Sequence, residues 1–564
     1  MRPDILVAQH VKDKQNFSNF KKRRLPQWNE NYTLYRDRVQ TNRLTQRQAV
    51  NIPIIRDTIQ SWISKIDEQP QLVFETRGRE PEDETQELLI NEMWRYTEDT
   101  ENLDLKDNLE KKNVGLQGRG FKFWYFKDNA VKVDVIDAYD IDIDPRVSPF
   151  ELNTAHNIIH KHIFVPLRYV LANPTYDPKA KNILKGYLDS KEGLIAAAKA
   201  NEEADMRRLR LESIGVTNFD DLRVSDVLVE LNRSYKNIWV PAENRFVRHL
   251  VVFAMDNVVL YCKPLKKALG IERLPFTSWA SDPDLNDFWS DGIADNVRTM
   301  NKVINMYFSQ DLENRAYRNF GMFFYDTKKG TFAPQGFDPK PFGLFGVDGN
   351  PSEVIQQVRI EPLADTQPSI EYFKNLIQST VAQTPTERGV QEKTGTTLGE
   401  VQLSLRQSQT RQQVVAKQYR DSWRDGGQIW YELLNANAKG RFTLYKKGSN
   451  GKMYSKDVYP TDWQNPKGYE CRVVLKSEHE AEDDLDFKKT QYIKASFQTN
   501  PVAMKIAKRK ELEILGWSPD EIQQVMQAED AQQSPAPSMQ LTGAPSDAAQ
   551  PSDTMMTEDA NTQS

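Results

Sequence analysis

The sequence predicts an α+β protein in which a β-rich body is followed by a series of long helices. Strand patterns recur between residues 74 and 275, where apolar and polar residues alternate as in Val131-Lys-Val-Asp-Val-Ile136. Between residues 290 and 437 the apolar residues recur instead at steps of three and four, which is the helical period. A Gly/Pro-rich stretch at residues 321–363 separates two helical patterns and is typical of short strands and turns.

Composition and charge exclude several classes of protein. The chain has 564 residues, a net charge of −5 and 27% charged residues, which indicates a soluble protein with much polar surface. An acidic balance argues against a generally basic nucleic-acid-coating protein, although local basic patches are compatible with it. Cys262 and Cys471 are the only cysteines, too few for a disulfide scaffold, which suits a reducing cytoplasm. The sequence lacks a signal-like or membrane-spanning apolar run, so we expect no membrane insertion.

Three helices are predicted after the β-rich body. The first, over residues 290–320, carries an apolar seam made of Ile293, Val297, Met300, Ile304 and Tyr307. The second, over residues 368–383, begins at a proline and carries the stripe Ile370, Phe373, Ile377 and Val381. The third, over residues 397–439, starts with a capping box of Thr397 and Glu400. Gly426-Gly427 within it predicts a kink, because glycine disfavours helix continuation.

Asp140, Asp142 and Asp144 are the strongest indication of enzymatic chemistry. Alternation along a strand would place all three carboxylates on one face, where they could hold Mg²⁺ for phosphoryl chemistry. The same alternation is expected of any half-exposed strand, and no Lys, His or glycine cradle lies at a recognisable spacing. A metal-dependent nucleic-acid-processing enzyme is therefore the alternative function rather than the favoured one.

Other possible sites have structural interpretations. The glycines of Gly115–Gly120 precede a strand, which inverts the order of a dinucleotide site and favours a turn. His160 and His162 would share one strand face, but no third metal ligand accompanies them. The basic quartet Lys21–Arg24 is either an interaction arm or a solvated helix end. We expect no catalytic residue, no metal and no cofactor.

The order of these features resembles the portal proteins of tailed double-stranded DNA bacteriophages, over about residues 51–530. The resemblance rests on the turn of Gly115–Gly120 with the strands that follow it, and on Phe288–Asp295 opening a helix. It rests further on Thr394-Gly-Thr-Thr397 before the long helix, and on the series helix, insert, helix, loop, long helix. The charged stretch Asp189–Arg223 and the long C-terminal tail depart from the simplest pattern of the family.

The resemblance implies a head-to-tail connector, a ring that is most often a dodecamer and surrounds a DNA channel at one capsid vertex. The implied regions are N-terminal helices with a β-rich wing (1–289), a first stem helix (290–320), an α/β clip insert (321–367) and a second stem helix (368–383). A tunnel loop (384–396), a long kinked wing helix (397–439), a second wing β unit (440–483), a helical crown (484–530) and a disordered tail (531–564) complete the chain.

The resemblance also implies partners and candidate contact residues. The DNA-channel candidates are Arg388, Lys393, Arg298 and Lys302, and the clip docking candidates are Lys328, Lys329 and Lys340. The two loop cations can equally pair with Glu387 and Glu392, whereas the simpler interpretation of the insert lysines is that they are solvated loop residues.

The implied partners are other copies of the chain, double-stranded DNA bound without sequence specificity, the terminase packaging motor, head–tail adaptor or tail proteins, the major capsid protein and a scaffolding protein. The expected location is the virion, after assembly in the host bacterial cytoplasm. We expect a non-enzymatic protein whose helical seams pack between subunits.

Overall fold

The computed structural model describes residues 2–36, 51–66, 70–77, 83–190, 227–284, 287–320, 322–325, 355–358, 366–381, 398–447, 453–475, 488–492 and 501–514, with residues 193, 361, 494 and 525 as single positions. The protein is α+β, as the sequence predicts. It divides into two units, Met1–Lys476 and Ser477–Ser564.

The helices of the first unit occur at both ends of its chain and between its strands. They are Pro3–Lys21 (α1), Leu25–Tyr35 (α2), Ile54–Ile66 (α3), Glu84–Glu101 (α4), Leu103–Gln117 (α5), Leu167–Ala172 (α6), Pro178–Leu188 (α7), Leu265–Leu269 (α8), Ile293–Phe320 (α9), Gln367–Thr380 (α10), Leu398–Asn437 (α11) and Pro460–Trp463 (α12). In the second unit Pro501–Ile514 forms α13.

In the part of the chain that the structure describes, five separate antiparallel sheets contain the strands. They are Pro70–Thr76 (β1), Arg119–Lys127 (β2), Ala130–Ile136 (β3), Ile141–Ile143 (β4), Asn157–Pro166 (β5), Leu228–Val240 (β6), Arg245–Ala254 (β7), Val258–Pro264 (β8), Phe276–Ala280 (β9), Met322–Tyr325 (β10), Ile355–Val358 (β11), Phe442–Lys447 (β12), Met453–Val458 (β13) and Tyr469–Leu475 (β14). The largest sheet has the order β4-β5-β6-β7-β8, and a second has the order β3-β2-β9.

Helix α1 crosses the five-stranded sheet, because it contacts β4 and β8, which are the two edge strands. Ion pairs contribute to its attachment. Lys14 Nζ lies 2.7 Å from Asp256 Oδ2, and Lys236 Nζ lies 2.7 Å from Asp13 Oδ2. Leu6 adds an apolar contact with a small cluster on the sheet. The N-terminal segment is therefore part of the β-rich body.

The main core is built around tryptophan rings from distant parts of the chain. Trp94 on α4 has ring centroids 6.2 Å from Trp124 on β2, 6.4 Å from Trp423 and 5.2 Å from Trp430, both on α11. Aromatic pairs at these separations contribute about 0.5–1.5 kcal/mol beyond the burial of their area. The long helix α11 is thereby packed into the same core as α4 and β2.

Strand β1 pairs with β14, from Pro70↔Leu475 to Thr76↔Tyr469. The local sequence patterns of the two strands do not predict this partnership. This pairing brings the segment after the long helix back to the N-terminal region. The predicted second β unit therefore contains one hairpin, β12 with β13, and one strand that completes a sheet with β1.

The helical series follows the predicted order. The helix predicted over residues 290–320 is α9, the one predicted over 368–383 is α10, and the one predicted over 397–439 is α11. Between α9 and α10, β10 pairs antiparallel with β11 from Met322↔Val358 to Tyr325↔Ile355. The rest of the insert, most of the stretch 189–223 and the tail 531–564 lie outside the described residues.

Candidate functional site

The start of helix α9 is fixed by a turn that links α5 to β2. Gly118 ends α5 in a left-handed conformation with φ +83°, where a side chain would be strained. Arg119 follows it and is fully buried. Its guanidinium donates to the carbonyl oxygens of Phe288, at 2.9 Å, and Pro149, at 3.0 Å. The segments Gly115–Gly120 and Phe288–Asp295 therefore contact each other directly.

Burial also changes the chemistry of Arg119. Its guanidinium carbon lies 4.0 Å from the centroid of the Phe288 ring, and burial lowers its pKa to about 9. The side chain still carries its charge at neutral pH, and its donors are directed to backbone oxygens and to Ser278 Oγ. This residue positions the segment before α9, and it is too buried to contact a ligand.

Asp295 lies in the first turn of α9 and accepts a hydrogen bond from the residue that precedes the helix. Its Oδ2 accepts from the Gly292 amide at 2.9 Å, and its Oδ1 accepts from Asn31 Nδ2, also at 2.9 Å. A carboxylate in the first turn is favoured by the helix dipole. Asn31 lies on α2 and also donates to Leu116 O at 3.0 Å. Helices α2, α5 and α9 are thus joined by one polar cluster.

The two DNA-channel candidates on α9 are paired within the chain. Arg298 Nη1 lies 2.9 Å from Asp295 Oδ1, and its Nε lies 3.3 Å from Glu30 Oε2. Lys302 makes an ion pair with the other carboxylate oxygen of Glu30. Glu30 therefore offsets much of the positive charge that these residues would present to phosphate. Lys302 remains about half exposed, whereas Arg298 is mostly buried.

The remaining sequence-predicted contact residues lie outside the described residues. These are the loop cations and the insert lysines, namely Arg388, Lys393, Lys328, Lys329 and Lys340. Their assignment remains a prediction. Thr397, predicted as the cap of the long helix, also lies just outside the described residues.

The seam of α9 packs inside the subunit, so it does not require a neighbouring one. Val297 and Ile304 are fully buried in the main core, and Tyr307 packs against it. The ring of Tyr307 lies 6.2 Å from that of Phe373 on α10. Farther along α9, Asn314 Nδ2 donates to the carbonyl oxygen of Glu361, which precedes α10, at 3.2 Å. The prediction that this seam packs between subunits is therefore wrong, because its residues pack within one chain.

The glycine pair of α11 has a packing role. The helix continues through Gly426 and Gly427. A Cβ at Gly426 would lie 2.6 Å from the Trp124 ring, and one at Gly427 would lie 2.6 Å from Cys471 Sγ. Glycine lets the helix backbone approach β2 and β14 closely. The kink that the sequence predicts at these residues remains a prediction.

A buried cluster of charges attaches α11 to α5 and β2, and sequence reasoning missed it. Asp107 Oδ1 lies 2.7 Å from Lys122 Nζ, and its Oδ2 lies 3.0 Å from Lys111 Nζ. On α11, Tyr419 donates its hydroxyl to Asp107, and Trp423 Nε1 donates to Asp107 Oδ1 at 3.2 Å. No local motif signals the part that α11 contributes, because Tyr419 and Trp423 lie more than 300 positions from Asp107 in the sequence.

In this cluster the positive charges of buried lysines compensate the negative charges of buried carboxylates. Burial raises the pKa of the Asp107 carboxyl, but Lys122 and Lys111 outweigh this effect and hold the pKa below its ordinary value. Lys122 Nζ also lies 2.8 Å from Glu110, whose pKa burial raises. Two lysines thus face two carboxyl groups. A cluster of this kind is a structural joint, because removing one member leaves a buried charge without compensation.

The three aspartates Asp140, Asp142 and Asp144 do not form a metal site. Asp140 belongs to a 3-10 turn, so the period of two predicted for the strand fails at its start. It contacts His162 Nδ1 at 2.9 Å, whereas Asp144 accepts from the Arg146 amide at 3.0 Å. Among the described residues, no group of three or more His, Cys, Asp or Glu side chains could hold a metal ion.

Asp142 is instead the partner of two lysines. Its Oδ1 lies 2.7 Å from Lys21 Nζ and its Oδ2 lies 2.9 Å from Lys161 Nζ, all three being buried. Burial raises the pKa of Asp142, but the two ammonium groups outweigh it and the pKa lies below its ordinary value. Lys21 also donates to three backbone carbonyls, and burial lowers its pKa to about 8.

Two residues of the basic quartet Lys21–Arg24 therefore fit neither of the two predicted interpretations, an interaction arm or a solvated helix end. Lys21 is buried against Asp142, and Arg24 forms ion pairs with Asp287 and Asp291. The pair to Asp291 reaches the segment that opens α9. Two of the four basic residues thus attach the N-terminal helices to the body.

His160 and His162 are separated by a β-bulge. The register shifts between His160 and Ile163, and His162 has φ +59°. An extra residue in a strand disrupts the period of two, so the prediction that both histidines share a face is wrong. His160 packs on Phe123 and Phe276, with ring centroids 5.7 Å and 6.3 Å away.

Comparisons with known proteins add no relative. Neither the scan against protein-family models nor the search of curated proteins gave a match to this chain. In the part of the chain that the structure describes, no helix has both the length and the apolar character needed to span a bilayer.

Proposed function

We propose that the chain is the portal subunit of a tailed double-stranded DNA bacteriophage. Copies of it form a ring at one capsid vertex, and DNA passes through the ring during packaging, retention and ejection. The observation that carries the proposal is the continuous series α9, the β10–β11 insert, α10 and the forty-residue α11 after the β-rich body. The implied clip, stem, wing and crown regions belong to this proposal.

In a ring, a single charged side chain per subunit produces a continuous band of charge around the channel. Each inward side chain is repeated once per subunit, so one lysine per chain becomes a circle of positive charge. Every phosphate contact must be broken as DNA advances, so a few basic rings on an otherwise acidic chain guide DNA without retaining it tightly. Because Glu30 compensates Arg298 and Lys302, Arg388 and Lys393 are the stronger channel candidates.

Exposed apolar side chains support association. At the end of the β6–β7 hairpin, Trp239 is 45% exposed, Phe246 is 61% exposed, and their ring centroids are 5.1 Å apart. On α10, Tyr372 and Leu376 are exposed one turn apart. Apolar surface of this kind marks protein contacts, and a ring needs two different faces on each subunit.

The contacts of Asp140, Asp142 and Asp144 do not favour a metal-dependent enzyme. Asp142 is compensated by Lys21 and Lys161, and Asp140 and Asp144 have separate partners. The motor, the adaptor or tail proteins and the capsid proteins are proposed partners of the non-enzymatic ring. The packaging motor would supply the energy for DNA movement.

Native mass spectrometry and particle imaging of the purified chain test the proposal. We expect a closed ring with a central channel. A species that remains monomeric at every protein concentration would contradict it. The symmetry seen in the images also gives the number of subunits.

A further inference from the structure

Within the buried charge cluster, Lys122 places one amine between two carboxyl groups. Its Nζ lies 2.7 Å from Asp107 Oδ1 and 2.8 Å from Glu110 Oε2. The two carboxyl groups lie one turn apart on α5, and all three residues are at most 3% exposed. The site therefore holds a nucleophile, a carboxyl carbon that it can attack and a second carboxyl within reach of the same proton. Fixed contact of this kind replaces a collision between separate molecules, which lowers the barrier to reaction.

Aromatic side chains of α11 cover this site. Lys122 Nζ lies 4.4 Å from the centroid of the Trp423 ring. Tyr419 and Trp423 are both buried, and both donate to the Asp107 carboxylate. Exclusion of water favours a condensation that releases water, and it protects the amide that forms from hydrolysis.

We propose that Lys122 and Asp107 condense to an intramolecular isopeptide bond, with Glu110 as the general acid–base catalyst. Lys122 Nζ attacks the Asp107 carboxyl carbon, the new C–N bond forms, and one C–O bond of the carboxyl group breaks. Two of the ammonium protons leave with that oxygen as water, and Glu110 carries them from nitrogen to oxygen. An ammonium and a carboxylate together contain the atoms of one amide and one water without net charge, so the step needs no co-reactant. The ion pairs of the cluster are the state before the reaction.

The charges around the site support each part of this reaction. Opposite charges hold the pKa of Lys122 above and that of Asp107 below their ordinary values, so the resting pair is ionised. Burial raises the pKa of Glu110, which suits this carboxyl to take a proton from the ammonium and return it. Lys111 Nζ, 3.0 Å from Asp107 Oδ2, stabilises the negative charge that grows on oxygen during the attack. After the reaction, Lys111 and Glu110 remain as one cation and one anion, so the buried charges stay balanced.

The buried pair of Lys21 and Asp142 is a natural control for proximity alone. Lys21 Nζ lies 2.7 Å from Asp142 Oδ1, as close as in the reactive pair. Lys21 also donates to three backbone carbonyl oxygens, and the other charged partner of Asp142 is Lys161, a cation that cannot accept a proton. We therefore expect no bond between Lys21 and Asp142.

The test is a tryptic peptide map of the purified full-length chain, read by mass spectrometry after prolonged incubation at neutral pH. Trypsin cleaves after Lys122 only when its amine is free. The unreacted chain therefore gives residues 107–111 and 120–122 as separate peptides. The reacted chain gives residues 107–111 joined to residues 120–127, lighter by one water molecule than the two peptides together. The same map reports any peptide that joins Lys21 to Asp142.

We expect the joined peptide in the wild type and its loss in Glu110→Gln and in Lys122→Arg, with circular dichroism reporting whether each variant folds. A wild-type chain that yields only the separate peptides would overturn the inference, and this result does not depend on any variant. A joined peptide that persists in Glu110→Gln, or one that links Lys21 to Asp142, would overturn the catalytic role of Glu110. The measurement needs no DNA and no ring, so its outcome is independent of the proposed function.

Discussion

Gly118 lies so close to Ser290 that a Cβ on Gly118 would stand 1.9 Å from the Ser290 carbonyl oxygen. The contact joins the end of α5 to the segment that opens α9. Nearby, a Cβ at Gly292 would lie 2.7 Å from Gly115 O. Two backbone segments about 170 residues apart therefore approach each other without side chains between them.

Replacing Gly118 with alanine should destabilise the protein. The residue has φ +83°, and the new methyl group would meet backbone atoms that cannot rotate away. We expect a loss of about 2 kcal/mol or more in the free energy of unfolding, measured by denaturant titration. Gly186→Ala is the control, since Gly186 lies in α7 with no atom within 4 Å of its Cβ position. That variant should gain about 0.5–1 kcal/mol; equal effects would contradict the argument.

Replacing Lys122 with methionine should destabilise the attachment of α11. Asp107 and Glu110 would lose their shared ammonium group while they remain buried. We expect a cost of about 3 kcal/mol, seen as a lower unfolding temperature. Lys132→Met, which removes a partly exposed pair with Glu101, should cost less than about 1 kcal/mol. Adding Glu110→Gln to the Lys122 variant should restore part of the loss, because it removes a buried carboxylate that has lost its ammonium partner, whereas Asp107 keeps Lys111 as a partner.

Glu98 predicts a pH dependence of stability. Burial raises its pKa to about 7, above the ordinary value of 4.5, so the folded protein binds this proton more tightly than the unfolded chain. The stability contributed by protonation is fully present below pH 4.5 and is lost as the pH rises through 7. Glu98→Gln should therefore raise the free energy of unfolding at pH 8, where the wild-type carboxylate is buried in its charged form, and change it little at pH 4. A gain of the same size at both values would refute this explanation.

Neutralising the loop cations should impair DNA handling and leave the ring assembled. The variant is Arg388→Gln with Lys393→Gln, and the readout is the amount of DNA packaged or retained in particles. The comparison is Arg298→Gln with Lys302→Gln, which breaks the pairs with Glu30 and should lower subunit stability instead. Wild-type amounts of DNA in the loop variant would count against the assignment of the loop to the channel.

The helical series could be predicted from the sequence because helical periodicity is local. The three predicted helices correspond to Ile293–Phe320, Gln367–Thr380 and Leu398–Asn437, with boundaries shifted by a few residues at most. The stripe of α10 is buried as predicted, at Ile370, Ile377 and Val381. An apolar residue every three or four positions gives a helix one buried side whatever it packs against.

Two predictions failed because short irregular segments change the direction of side chains. Asp140 lies in a 3-10 turn before the three-residue strand β4, and a bulge separates His160 from His162. A period of two holds only along an uninterrupted strand. The ionic cluster of Asp107 was missed for another reason: Lys122 becomes its partner only when β2 packs on α5, and Tyr419 only when α11 packs against them.

The sequence by itself determined the α+β class and the order of the helices, because each follows from residues close together in the chain. Only the tertiary structure decided that β1 pairs with β14, that Lys21 and Lys161 compensate Asp142, and that the α9 seam packs within the subunit. These are choices of partner between distant segments. Burial enforces these pairings, because a charge or a backbone polar group that is removed from water must be paired within the fold.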